Sequence, residues 1–104
     1  TNNFELAEKE YLKALEIRPD YEPANYNLGV LYYSAGKEWN EKLNALAFKD
    51  PKAKEYEAKS NEYFKKAVGY FETSYEATKD SRTKQVLRQL TLRLGDTEKA
   101  AKYK

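Results

Sequence analysis

The sequence predicts an all-α chain, and three observations predict it. Apolar side chains recur every three or four residues through four stretches, which is the spacing of one helix face. The four Gly and three Pro are scarce and stand at discrete points, unlike the frequent turn residues of a β fold. Large aliphatic residues are few: 104 residues hold nineteen Leu, Ile, Val and Phe, supplemented by 12 Ala and 10 Tyr. Small residues beside large flat ones suit helices packed at short range.

The first helix is expected over about 4–17. Asn2-x-x-Glu5 can form a capping box, Leu6/Ala7, Tyr11, Ala14/Leu15 and Ile17 keep helical spacing, and Pro19 ends the run. Pro23 opens a second helix from its first turn. The stripe Leu28, Tyr32, Ala35, Trp39, Leu43, Leu46 then runs through Gly36 without slipping phase, which predicts one long helix over about 23–48. Asp50 can cap the third helix with Pro51 at its first position. Ala53, Tyr56, Ser60, Tyr63/Phe64, Ala67, Phe71, Ser74 and Ala77/Thr78 carry it over about 51–79, with Gly69 either tolerated or a close-packing point. A tight turn between them would set the two long helices antiparallel. Asp80 or Ser81 caps a fourth helix that buries Leu87, Leu90, Thr91 and Leu94, Gly95 ends it, and Asp96 starts a fifth.

A repeat underlies these elements. Ala7-x3-Tyr11-x2-Ala14-x4-Pro19 has the spacing of the second helix of a tetratricopeptide repeat (TPR). Ala24, Tyr26, Asn27, Leu28, Gly29, Tyr32, Tyr33 and Gly36 resemble the first helix of the next repeat, and Leu87, Gly95, Asp96 and Ala100 resemble a third. The family's tryptophan position holds Asn25, and Arg88 stands where repeat three should have a small residue. Between Gly36 and Ala67 lie 26 residues more than the family spacing, about 13 per helix, or roughly 20 Å of antiparallel arm. The chain thus resembles bacterial TPR proteins with an elongated middle repeat. The resemblance implies TPR-like antiparallel helix pairs in a right-handed solenoid fragment. Its parts are the second helix of a partial repeat (1–21), a repeat with an inserted helical extension at about 37–62 (22–80), and a partial third repeat (81–104). The chain opens on Thr1 without Met, so it reads as a segment of a longer array. The face of the first helix over Leu6–Leu15 is then expected to meet another chain, which makes homo-oligomers an expectation too.

Composition removes most chemistry. With no His, Cys or Met there is no imidazole base, no thiolate and no ordinary zinc site. Ser34, Ser60, Ser74 and Ser81 have no activating base. Glu55, Glu57 and Glu62 alternate with Lys52, Lys54, Lys59 and Lys65 as solvated helix faces do. No Gly-rich phosphate loop and no apolar run of membrane-spanning length is present. The reading is therefore a non-catalytic protein with no cofactor, no metal and no membrane insertion.

By resemblance, TPR arrays bind peptides or partner segments on the concave face. Carried over by position, that face offers Tyr26, Asn27, Val30 and Tyr33, and then Arg82, Gln85, Gln89 and Arg93. Asn27 and Arg82 stand where some members clamp a C-terminal carboxylate, but Val86 occupies the second basic clamp position, so such a clamp is not expected. Asn27 can equally serve hydrogen bonding within the repeat. Tyr26 and Tyr33 are expected as the exposed pair, and Trp39 as packing within the hairpin.

Charge shapes the partner. Residues 79–104 carry eight basic and three acidic side chains, net +5, while residues 1–78 are net −3. This favours a protein or peptide partner, acidic in character. A second class, nucleic-acid binding by the basic segment, is opposed by a pI of only 8.6 and by the lack of aromatics there besides Tyr103. A third is a purely architectural, self-associating module. The absence of Cys fits cytoplasm and periplasm equally, and the resemblance to exported bacterial proteins favours the periplasm.

Overall fold

A computed structural model describes residues 2–104, without the side chain of Asn2. Five helices follow in order: α1 (Asn2–Ile17), α2 (Glu22–Asn44), α3 (Ala53–Thr78), α4 (Ser81–Arg93) and α5 (Thr97–Lys102). There is no strand among the described residues. Each helix packs on the next in the chain, and the whole forms a slab of 44 × 36 × 17 Å. The capping role expected of Asn2 lies outside the described residues.

The α1–α2 turn is closed at Pro19. Tyr21 N–H donates to the Arg18 carbonyl at 3.0 Å. The buried amide of Asn25 donates to the carbonyls of Pro19 and Tyr21 at 3.2 and 3.3 Å. Asn25, at the family's tryptophan position, therefore pins the turn with polar bonds where an indole would use area. Across the α1–α2 contact the Tyr32 hydroxyl donates to Glu8 at 2.6 Å. Phe4 and Tyr63 meet edge-on at 5.9 Å, and Tyr32 stacks between Tyr63 and Tyr70 at 6.1 and 5.7 Å. The tyrosines thus supply the core that aliphatics do not.

The antiparallel α2–α3 hairpin is the spine. Phe71 sits on Gly29, where a Cβ would stand 2.7 Å from the ring, and Phe64 sits on Gly36 in the same way. Ser60 is fully buried and donates to the Gly36 carbonyl at 2.8 Å. Ser74 donates to Glu22 at 2.8 Å near the other end. Small residues at the contact let the backbones approach, and their hydroxyls find partners. Gly36 therefore does not end its helix. Beyond it, Trp39 meets Tyr56 at 5.2 Å, with the Lys42 and Lys59 ammonium groups 4.3 and 4.6 Å from the indole, as hairpin packing requires. Gly69 has open space around it, so it is tolerated and not a contact point.

The hairpin turn is longer than expected. α2 stops at Asn44, not near 48, and α3 starts at Ala53, not at Pro51. Two local preferences explain this. Lys49 takes a φ of +66°, which no α-helix accommodates. The Asp50 carboxylate accepts from Lys52 N–H at 2.9 Å, forming a turn of its own instead of capping a helix at Pro51. Phe48 projects from this turn almost fully exposed.

α4 packs on α3 through Leu87, Leu90 and Thr91, all buried. Asp80 is its N-cap, accepting from Arg82 N–H at 2.8 Å. Gly95, at φ +80°, closes its C-terminus. Asp96 N–H donates back to the Thr91 carbonyl at 2.9 Å and Gly95 N–H to Leu92 at 3.1 Å. Asp96 then caps α5 by accepting from Lys99 N–H. Arg88 points to solvent, so its bulk does not hinder the α3–α4 contact.

Candidate functional site

On α2, Tyr26, Val30 and Tyr33 recur at steps of four and three, so they share one helix face. That face lies opposite the buried Ala24, Leu28, Tyr32 and Ala35. Tyr26 is 41% and Val30 40% exposed, and Tyr33 is half-buried. The tyrosines are backed by α3, with Tyr26 on Phe71 and Tyr33 on Phe64, both at 5.9 Å. The glycines beneath these rings are what bring α3 close enough to support them. The result is an apolar strip braced by α3, in which Tyr26 is exposed and Tyr33, expected to be exposed with it, is half-buried against Phe64.

α4 lies beside this strip, parallel to α2. At one end Arg82 and Tyr26 line a hollow of about 300 Å³ with Glu22, Thr78, Asp80 and Thr83. The Arg82 guanidinium is 3.7 Å from Asp80, so its charge is partly answered there. The bond from Arg82 backbone N–H holds the Asp80 carboxyl below the ordinary carboxylate range. At the other end Arg93 reaches across the groove and donates to the Asn40 side-chain oxygen on α2. Its guanidinium lies 5.0 Å from the Phe64 ring centre, and Lys37 lies 5.5 Å from that of Tyr33.

The structure therefore brings Tyr26 to Arg82 and Tyr33 to Arg93 through Phe64. It does not bring Gln85 and Gln89 to the hollow at Tyr26; they line a separate one of about 340 Å³ with Arg88 and the exposed Leu92. Asn27 is half-buried one position round from Tyr26, and its side chain makes no hydrogen bond among the described residues. The amide that holds the repeat together is Asn25. Sequence reasoning missed Lys37 and Asn40. The signal was present: 26, 30, 33, 37, 40 continue one stripe at steps of four, three, four and three. The positions carried over from the repeat on α2 end at Tyr33, so the resemblance does not reach Lys37 and Asn40.

Residues 1–36 match the family model described as TPR repeat. Over about a third of its length the chain is similar to a TPR repeat. The matched stretch runs through α1 and the Pro19 turn, and along α2 to Gly36; α2 continues past it to Asn44. No curated protein and no solved structure matches the chain. TPR repeats generally mediate protein–protein interactions, and the TPR family is typically non-catalytic. No helix of the described residues is long and apolar enough to cross a membrane.

Proposed function

We propose that this TPR chain is a protein-interaction scaffold whose groove between α2 and α4 takes a segment of a partner protein. The observation that carries the reading is the strip Tyr26–Val30–Tyr33. Its apolar surface faces water, yet Phe71 and Phe64 hold its rings in place. Ordered aromatic residues lose little entropy on binding and offer both area and polar tips, the profile of interface anchors. The cationic side chains on the groove's α4 wall fit a partner of acidic character.

The test is capture of the partner by the full chain carrying Val30→Asp, compared with Leu92→Asp on the outer side of α4. Both positions are exposed, so both variants should fold. Loss of capture with Val30→Asp alone supports the groove. Equal capture by both variants removes it.

Self-association is a second reading. Leu6 and Ile17, 60% and 82% exposed, stand eleven residues apart on one side of α1, and no neighbouring helix covers them. Sedimentation across a concentration series checks it: a single monomeric species at every concentration ends this reading.

A further inference from the structure

We propose that one end of the groove is a carboxylate-reading subsite made by Arg93 and Lys37, and that the partner is an extended segment presenting an acidic side chain there. The inference rests on the groove reading above and names what that groove selects.

Arg93 is held from two directions. Asn40 accepts one of its N–H groups, and Phe64 lies beneath its guanidinium. Neither partner carries charge. Neither Arg93 nor Lys37 forms an ion pair among the described residues, whereas Arg82 pairs with Asp80. A guanidinium offers five donors in a fixed fork, and Asn40 uses one side of it. The free side matches a carboxylate with two parallel hydrogen bonds. The stem and plane are already immobilised, so a ligand need not order them. Lys37, on the Tyr33 ring next to Phe64, places a second cation at the same end.

The opposite end is different. Glu22, Asp80 and Arg82 share the hollow at Tyr26, so the two acids outnumber the base. The positive character expected along the whole basic wall is thus concentrated at Arg93 and Lys37. The groove thus has a polarity: Arg82 is paired with an acid, and Arg93 and Lys37 are in no ion pair among the described residues.

Spacing sets the pattern. Val30 and Lys37 are seven residues apart on α2, about 10 Å along the axis. Three residues of polyproline II span about that distance, and its period of three returns both side chains to the same face. The segment is therefore an apolar residue and an Asp or Glu three positions apart, the apolar one on the Tyr26–Val30–Tyr33 strip. The acid is assigned to a side chain because α2 runs on past Asn40 to Asn44, so a partner chain has helix surface to continue along.

The experiment titrates the full chain against fluorescein-labelled, C-terminally amidated peptides on a Gly/Ser background. Leu and Glu stand three apart, in both orders. Controls replace Glu by Gln, or remove Glu and leave the C-terminal carboxylate free. The expected result is saturable binding in at least one order. Glu→Gln in the peptide, or Arg93→Gln in the protein, should weaken it about tenfold. Arg82→Gln should change it less than twofold, and Asn40→Ala should weaken it by an intermediate factor with unchanged melting. Equal binding of Glu and Gln peptides overturns the subsite while leaving the groove standing. Preference for the free C-terminus over the Glu side chain overturns it as well. Binding by none of the peptides removes subsite and groove together.

Discussion

The Phe64 ring fills the space a side chain on Gly36 would need. A Cβ at Gly36 would fall 2.6 Å from ring carbons Cδ1 and Cε1, well inside contact distance. One side of the same ring carries Arg93, and Tyr33 lies against it. The close approach of α2 and α3 thus fixes the floor of the groove's positive end.

Gly36→Ala should destabilise the chain. Ala improves α2 by about 1 kcal/mol in helix propensity. Overpacking against Phe64 costs about 1–3 kcal/mol, and moving α3 away from Gly36 would stretch the Ser60 bond to the Gly36 carbonyl. The expected net effect is a loss of up to about 2 kcal/mol, read as a lower Tm by circular dichroism. The double variant Gly36→Ala/Phe64→Leu should recover part of it. A rise in Tm for Gly36→Ala would contradict the packing described here.

Gly69→Ala is the opposite case. Nothing lies within 4 Å of the added Cβ, and the residue is mid-helix in α3. The backbone-entropy argument alone then applies, and the chain should gain about 0.5–1 kcal/mol. Thermal melting of both variants side by side separates helix propensity from packing.

Tyr32→Phe tests the tie between α1 and α2. The Tyr32 hydroxyl donates to a carboxylate on α1, and the ring is buried. A hydrogen bond to a charged group contributes about 1.5–3 kcal/mol. Loss at the lower end of that range is expected, because Glu8 is only half-buried and can turn to water. Hydrogen exchange should quicken in α1 more than in α3 and α4. Uniform quickening across all helices would mean that α1 is not held separately by this bond.

Alkali should weaken the fold through two tyrosines. Burial first, and then the Glu72 carboxylate that accepts its hydroxyl, push Tyr103 up to about 12. Burial, reinforced by Glu8, raises Tyr32 as well. The folded chain therefore holds these protons more tightly than the unfolded chain, where Tyr titrates near 10. Their contribution is whole below pH 10 and is lost as pH rises from there toward about 12 and beyond. Melting temperature should fall across that window, and Tyr103→Phe should flatten part of the slope. An unchanged slope in that variant would remove Tyr103 as a cause.

Much of this was legible in the residues. Helical period, Pro19, the Asp80 cap and the Gly95 stop gave the helices, because each is a local preference of the backbone. The passage of α2 through Gly36 was legible too, since the apolar stripe kept phase on both sides. The hairpin turn was not. Asp50 and Pro51 can open a helix or build a turn, and the choice depends on how Lys49 and the strip of chain from Ala45 onward are held. Along the proposed groove, the shared helix face of Tyr26 and Tyr33 was readable from their spacing. Lys37 and Asn40 were missed because the repeat pattern, followed strictly, stops one turn too soon.

The sequence by itself determined that the chain is helical and that about its first third is similar to a TPR repeat. These follow from residue type and short-range spacing. Only the tertiary structure decided which cations are free. Arg82 and Arg93 look alike in a string of letters, yet one folds beside Asp80 and Glu22 and the other beside Asn40 and Phe64. Charge at a site is a sum over neighbours in space, and those neighbours lie on helices up to sixty residues apart in the chain.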